Sequence, residues 1–464
     1  MRKRTVFGIV PVVAHATTGT AGHRRAPPIL PRCDNLILES EKFIVLTVEL
    51  HTGDIPNVFA RFSEVIGDRY WLQRLASIKK TIRDQPFLKN HLVKENSIAI
   101  ALSRCSDLVT RYGCIPMTEV EDVSLYPAIG LAAQVLSIME HTSDVEAGKL
   151  VKRIQGAFQR PDSMRAIQFE IRAATHFIRR GHAVAWPEME GIGTFDLLVK
   201  DLGTNGLEIE CKSVSSDRGR KIHRHEALEF YQLIEKPLQT VGQHLQTGMA
   251  IVLTIPGRLP TSLRQREVLA KNVINSFVST GSTVLEDGSD IRVSEFDMAN
   301  LGVNRTASGI VIPKDAIDRV TATRNRESLF SGNDNGAVIF VLQSRQDDTM
   351  LQYVFEKVNE AAKKQLSRSK PAIILVGFNG LEAEGLLDIV MQDNDPKQSP
   401  TALRVAVSEF HENPNRDHVV GVGFLSEGAL AQNQPGAIES SGVTYFFPKK
   451  KGRFWHEDFS GLFS

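Results

Sequence analysis

Cysteine is scarce in this chain. Only four occur in 464 residues (Cys33, Cys105, Cys114 and Cys211), and no two form a CxxC pair. That spacing excludes a disulfide framework, gives no structural zinc site and suits a reducing cytoplasm. No apolar run approaches the roughly 18–20 residues that span a bilayer, so no membrane partner is expected. An excess of positive charge is missing too: 55 Lys and Arg stand against 54 Asp and Glu, a net charge of +1. A protein that coats nucleic acid without selectivity is usually more basic, so any nucleic-acid contact has to rest on local patches. Several motifs are also absent. There is no GxxxxGK[ST] loop for a nucleotide-driven motor, no GxSxG, and no HExxH. Gly191-Ile192-Gly193 precedes a strand pattern instead of opening a helix, which excludes a dinucleotide fingerprint.

What is present is ordinary globular material, 42% hydrophobic and 23% charged, enough for roughly two to four domains. Arg2, Lys3 and Arg4 lead into a mildly apolar stretch broken by Gly8 and Pro11. Residues 1–34 are therefore expected as a flexible basic tail and not as a secretory leader. Residues 35–158 carry a short β-like run, Phe43–Val48, and then a helical pattern. Val58, Phe62, Val65 and Ile66 recur at three-to-four spacing, as do Leu131, Val135 and Ile138. A mostly helical N-terminal domain without catalytic signature follows, suited to homo-oligomerisation or a regulatory partner. Residues 159–260 then read helix, strand, strand, strand, helix, strand. The elements are a helix from Pro161-Asp162-Ser163 to about Arg180, strands at His182–Trp186, Thr194–Val199 and Leu207–Val214, a helix at Glu226–Gln246 that Pro237 should kink, and a buried strand at Met249–Ile255. A connecting region, 261–335, leads to a C-terminal α/β region, 336–464, with apolar strands at Ala337–Leu342, Ala372–Val376 and Val419–Phe424.

The chemistry is concentrated in Phe195-Asp196-Leu197-Leu198-Val199 and Leu207-Glu208-Ile209-Glu210-Cys211-Lys212. Strand side chains alternate, so Leu207, Ile209 and Cys211 share one face and Glu208, Glu210 and Lys212 the other. On its own, such a charged face is commonly just solvated. If the two strands form a hairpin, however, Asp196 and Glu210 converge. Two carboxylates with room for water and phosphate are what Mg²⁺ or Mn²⁺ requires, and a lysine two residues on could orient the attacking water. In the upstream helix Glu170 interrupts the stripe Ile167, Ile171, Ala174, Phe177 and Ile178, and a carboxylate on a packing face needs a partner. A neighbouring metal site would supply one.

This order of elements, with Glu170 on the first helix, Asp196 on the second strand and Glu210-Cys211-Lys212 on the third, resembles the PD-(D/E)XK or restriction-endonuclease-like nuclease superfamily. The likeness covers about 95 residues, and Phe195 stands at the motif's variable proline position. The resemblance implies an α/β fold with an αβββαβ core and a metal-dependent phosphodiesterase acting on nucleic acid, DNA more than RNA, in defence, restriction or repair. Asp196 and Glu210 would be metal ligands, with the carbonyl of Cys211 as a third. Lys212 would be the catalytic lysine and Glu170 an outer or second-metal ligand. The alternative is a non-catalytic nucleic-acid-binding or regulatory scaffold that keeps the fold. It is disfavoured because Asp196, Glu210 and Lys212 are all present.

After the lysine strand comes a cationic, glycine-hinged run, Asp217 to His225. Arg218, Arg220, Lys221 and Arg224 are candidates to grip backbone phosphates, which gives affinity without sequence reading. His223 and His225 lack a third ligand at metal spacing and are read as loop residues. Lys449-Lys450-Lys451 with Phe454 and Trp455 is read as a solvated tail in preference to a stacking site.

Overall fold

The computed structural model describes residues 6–10, 44–45, 50–215, 217–278, 281–301, 304–306, 309–311, 314–323, 326–332, 336–427, 429–434 and 437–463. The protein is mixed α/β and divides into two compact units. The main unit takes residues 15–79, 95–216 and 354–464; the inserted unit takes 1–14, 80–94 and 217–353.

The main unit is built on a seven-stranded mixed sheet. Its order is Ile44–Val45, Val443–Pro448, Val419–Glu427, Ala372–Glu382, Leu207–Ser215, Leu197–Val199 and Val184–Ala185. The last three form an antiparallel meander, because short turns can only reverse the chain. At one of those turns Gly203 and Gly206 both take positive φ, +66° and +81°. Leu207–Ser215, Ala372–Glu382 and Val419–Glu427 run parallel, which demands crossovers, and helix Met350–Lys364 leads into the middle strand of the three. From Ala372 to Val376 every residue is buried, the signature of a strand covered on both faces.

Helix Pro161–Arg179 lies on one face, its Ile167, Ile171, Ala174 and Phe177 in a core shared with Ile209, Cys211, Ile373 and Leu375. Gly377 permits the approach, since a Cβ there would come 2.9 Å from the ring of Phe169. On the other face Phe355 of helix Met350–Lys364 meets Phe424 and Phe410. The N-terminal helices are not a separate domain. Phe59 and Phe62 of helix Ile55–Ile66, Trp71, and most of helix Tyr126–Glu140 belong to the same core as Ile171 and Ile209. The Trp71 indole N–H donates to Ser106 Oγ at 3.0 Å, so its polar edge is satisfied within that core.

The inserted unit has its own six-stranded sheet, ordered Val6–Val10, Arg326–Gly332, Ala337–Ser344, Gly248–Ile255, Asp290–Phe296 and Gly281–Val284. Phe230 and Tyr231 of helix Arg224–His244 pack on Phe340 with ring centres 6.2 and 5.8 Å apart. Ala316 and Ile317 of helix Lys314–Thr321 cover the other face with Ile339 and Val341.

These contacts correct the expected continuity of residues 159–260. The helix and strand anticipated at Glu226–Gln246 and Met249–Ile255 do form, as Arg224–His244 and Gly248–Ile255, but in the inserted sheet. Pro237 lies within the first of them without dividing it. The neighbour of the lysine strand is instead Ala372–Glu382, more than 150 residues downstream in the chain. Met249–Leu253 and Ala372–Val376 within them are both apolar throughout, and hydrophobic pattern alone cannot select between them. The "connecting" stretch 261–335 supplies strands and helices of the inserted unit. Of the expected basic tail, Val6–Val10 pairs with Arg326–Gly332; residues 11–34 lie outside the described residues.

Candidate metal centre

The site begins with register. Leu197 pairs with Ile209 in the antiparallel hairpin, so Asp196, the residue just before that strand, falls opposite Glu210. Asp196 Oδ2 accepts the backbone N–H of Cys211 at 2.7 Å, which pins the carboxylate against the lysine strand. On the same face of that strand Lys212 Nζ donates to Glu210 Oε1. Glu210 Oε2 is buried and has no hydrogen-bond partner among the described residues. Glu208, two residues earlier, accepts the N–H of Ser367 at 2.9 Å instead.

Helix Pro161–Arg179 brings Glu170 to the same cluster. Burial pushes its carboxyl up to about 7, and the charge of Asp196 adds to the rise. Burial likewise lifts Glu210 to about 8, with Asp196 again adding and Lys212 opposing. The Asp196 carboxyl is also raised by burial, against the pull of the Cys211 N–H, Lys212 and Arg153. Cys211 is a core thiol, pushed well above its ordinary value by burial and the surrounding acids. Two buried carboxylates and the half-buried Asp196 thus lie close enough to repel one another, and each is held toward its protonated form.

Sequence reasoning missed Arg153. It lies on helix Asp144–Ala157, and its Nη2 is 2.6 Å from Glu170 Oε2 and 4.0 Å from Glu188 Oε2. Nothing in its local pattern distinguishes it from any arginine on a polar helix face. The unmet partner of Glu170 was the only signal.

Compared with protein-family models, curated proteins and solved structures, the chain matches none.

Among the described residues no three His, Cys, Asp or Glu side chains gather closely enough to cage a metal ion unaided. A hard divalent ion such as Mg²⁺ or Mn²⁺ does not need such a cage. One or two carboxylates suffice when waters and substrate oxygens complete the shell. Asp196, Glu210 and the carbonyl of Cys211 fit that donor set, and the unpartnered Glu210 Oε2 is the atom a cation would satisfy.

Of the four candidate phosphate-gripping residues, Arg220 and Arg224 are paired within the inserted unit. Arg220 Nη1 is 2.8 Å from Glu327 Oε1, and Arg224 pairs with the other oxygen of the same carboxylate. Glu327 is fully buried, which is why two guanidiniums are drawn inward. Lys221 donates its backbone N–H to Asp348 at 2.8 Å, while Arg218 is exposed. His223 and His225 pair with Glu226 and Glu229 on their own helix. At the C-terminus Lys449 pairs with Asp417, and Phe454 and Trp455 pack against the main core. No helix among the described residues is long and apolar enough to cross a membrane.

Proposed function

We propose that this chain is a metal-dependent phosphodiesterase that cuts nucleic acid, DNA in preference to RNA. On this reading a restriction-endonuclease-like core is assembled from helix Pro161–Arg179, the meander Val184–Ser215, helix Met350–Lys364 and strand Ala372–Glu382. The core is closed by an αβ pair from beyond the inserted unit. The observation that carries the proposal is the meeting of Asp196 and Glu210 on neighbouring strands, with Lys212 alongside and one buried Glu210 oxygen left unsatisfied. Defence, restriction or repair as the setting follows from the family resemblance alone.

When bound, Mg²⁺ or Mn²⁺ supplies a more acidic water and a positive charge for the phosphate oxygens. Asp196 and Glu210 would hold the ion. The Asp196–Cys211 hydrogen bond keeps the carboxylate pre-aimed, so little reorganisation is needed at the moment of reaction. Lys212, beside Glu210 on the same strand face, would orient the attacking water and neutralise charge gathering on the phosphorus oxygens. Burial of Glu210 and Glu170 limits the screening of these charges by bulk water.

The decisive assay incubates the full chain with supercoiled, linear and single-stranded DNA and with RNA, in Mn²⁺ or in chelator. Cleavage is expected in Mn²⁺ only. Asp196→Ala and Lys212→Ala are each expected to reduce it by at least about a hundredfold while substrate binding persists. Undiminished cleavage in both variants would overturn the proposal.

A further inference from the structure

We infer that Arg153 is a built-in second cation of this centre, tying up Glu170 so that the site takes a single divalent ion on Asp196 and Glu210. The inference rests on the metal-centre reading above and sharpens it.

The first argument is one of geometry. A second divalent ion beside the first would need Glu170, the third carboxylate of the cluster, as its ligand. Two-metal sites space their ions about 3.5–4 Å apart and surround both with carboxylates. Here the free end of Glu170 is already occupied by Arg153 at 2.6 Å, and the same guanidinium nitrogen lies 4.0 Å from Glu188. Arginine suits this task because its fork is rigid and its charge permanent, so it cannot vacate the position by losing a proton. The Glu170 side chain is only 11% exposed and that of Arg153 30%, so the pair is largely shielded from solvent.

The second argument is one of charge. Glu170, Asp196 and Glu210 contribute three negative charges, and Lys212 and Arg153 return two positive ones. Among the described residues the buried oxygen of this group without a partner is Glu210 Oε2, and none is on Glu170. One further cation satisfies that atom. With that one divalent ion the five side chains and the metal sum to +1; a second ion would raise the sum to +3 unless Arg153 withdrew.

The test counts ions instead of turnover. Metal-free full-length protein is titrated with Mn²⁺ at pH 8 by calorimetry, and electron paramagnetic resonance then reads whether the bound ions are isolated or spin-coupled. The wild type is expected to bind one ion with an isolated signal. Glu170→Gln should keep that ion. Arg153→Met should bind two, with a coupled signal, and Arg153→Lys should return the count to one. The double variant Arg153→Met with Glu170→Gln removes the buried unpaired acid, and it too should bind one. Two ions in the wild type, loss of the ion in Glu170→Gln, or a count of one in a folded Arg153→Met would each overturn the inference while leaving a metal centre in place. A wild type that binds no Mn²⁺ would remove the metal centre itself, and the inference with it.

Discussion

Each unit of this protein buries a cluster of acids and cations, and the two clusters are solved differently. In the inserted unit Arg220, Arg224 and Arg326 face Glu327, Asp348 and Asp318, with contacts of 2.8, 3.6 and 2.5 Å among them. Positive and negative charges match, and the members lock one another. In the main unit Glu170, Asp196 and Glu210 outnumber Arg153 and Lys212. There the carboxyls are pushed up, Glu210 to about 8 and Glu170 to about 7, because burial and mutual repulsion outweigh the cations present. A balanced buried cluster is an element of construction. An unbalanced one holds a free-energy cost that a cation from solution would relieve, and that is how a binding centre differs from a brace built of the same residue types.

The comparison breaks first at Glu327. Truncating it to alanine leaves Arg220 and Arg224 facing an empty carboxylate position inside the inserted unit. Removing one partner of a buried ion pair usually costs roughly 3–5 kcal/mol. The expected result is a loss of that size in urea denaturation, with hydrogen exchange accelerated along Arg326–Gly332 and Ala337–Ser344. A change below about 1 kcal/mol would mean that the arginines re-solvate freely. They would then be available to phosphate after all.

The second effect is a dependence on pH confined to the acid-rich cluster. Glu210 moves from an ordinary 4.5 to about 8 and Glu170 to about 7, so across that window the folded chain holds more protons than the unfolded one. Stability then falls as pH rises, the reverse of the usual salt-bridged carboxylate. The metal-free protein is expected to lose on the order of 2–4 kcal/mol between pH 5 and pH 9 through these groups, and saturating Mn²⁺ should flatten the slope. Denaturation midpoints with chelator and with Mn²⁺ read this directly. Parallel pH profiles in the two conditions would remove the link between the acids and a cation.

The parts of this centre that could be read from the sequence were those set by short-range rules. Alternation places Glu210 and Lys212 on one face of a strand, and a hairpin with a Gly-rich turn brings Asp196 opposite. Glu170 announced itself as a carboxylate within an apolar helical stripe. What could not be read depended on distant pairing. Gly248–Ile255 and Ala372–Val376 are equally apolar, and only the packed sheets show that the second lies beside the lysine strand. The ion pairs of Arg220 and Arg224 could not be read from the basic run 218–225, because their counter-charges, Glu327 and Asp348, lie more than 100 residues downstream. Gly219 shows the same limit. It reads as a hinge, yet its φ is +79° and a Cβ would lie 2.6 Å from Met350 Cα, so it is the point where the loop is fastened.

The smallest expected effect is the most discriminating, because its sign is opposite to that of the first. Glu210→Gln keeps the shape of a buried side chain and removes its charge. The substitution forfeits the ion pair with Lys212, which argues for destabilisation. Against that, burial and the neighbouring Asp196 outweigh Lys212 in setting the carboxyl's proton affinity, so at pH 8 the charged form costs more than the ion pair returns. The metal-free variant is therefore expected to gain about 1–2 kcal/mol over wild type in chelator at pH 8, and the gain should vanish at pH 5, where wild-type Glu210 is already neutral. The same variant should lose Mn²⁺ binding and cleavage. A loss of stability approaching that of Glu327→Ala would show that Glu210 and Lys212 form a closed brace like the one in the inserted unit, and the distinction between the two clusters would fail.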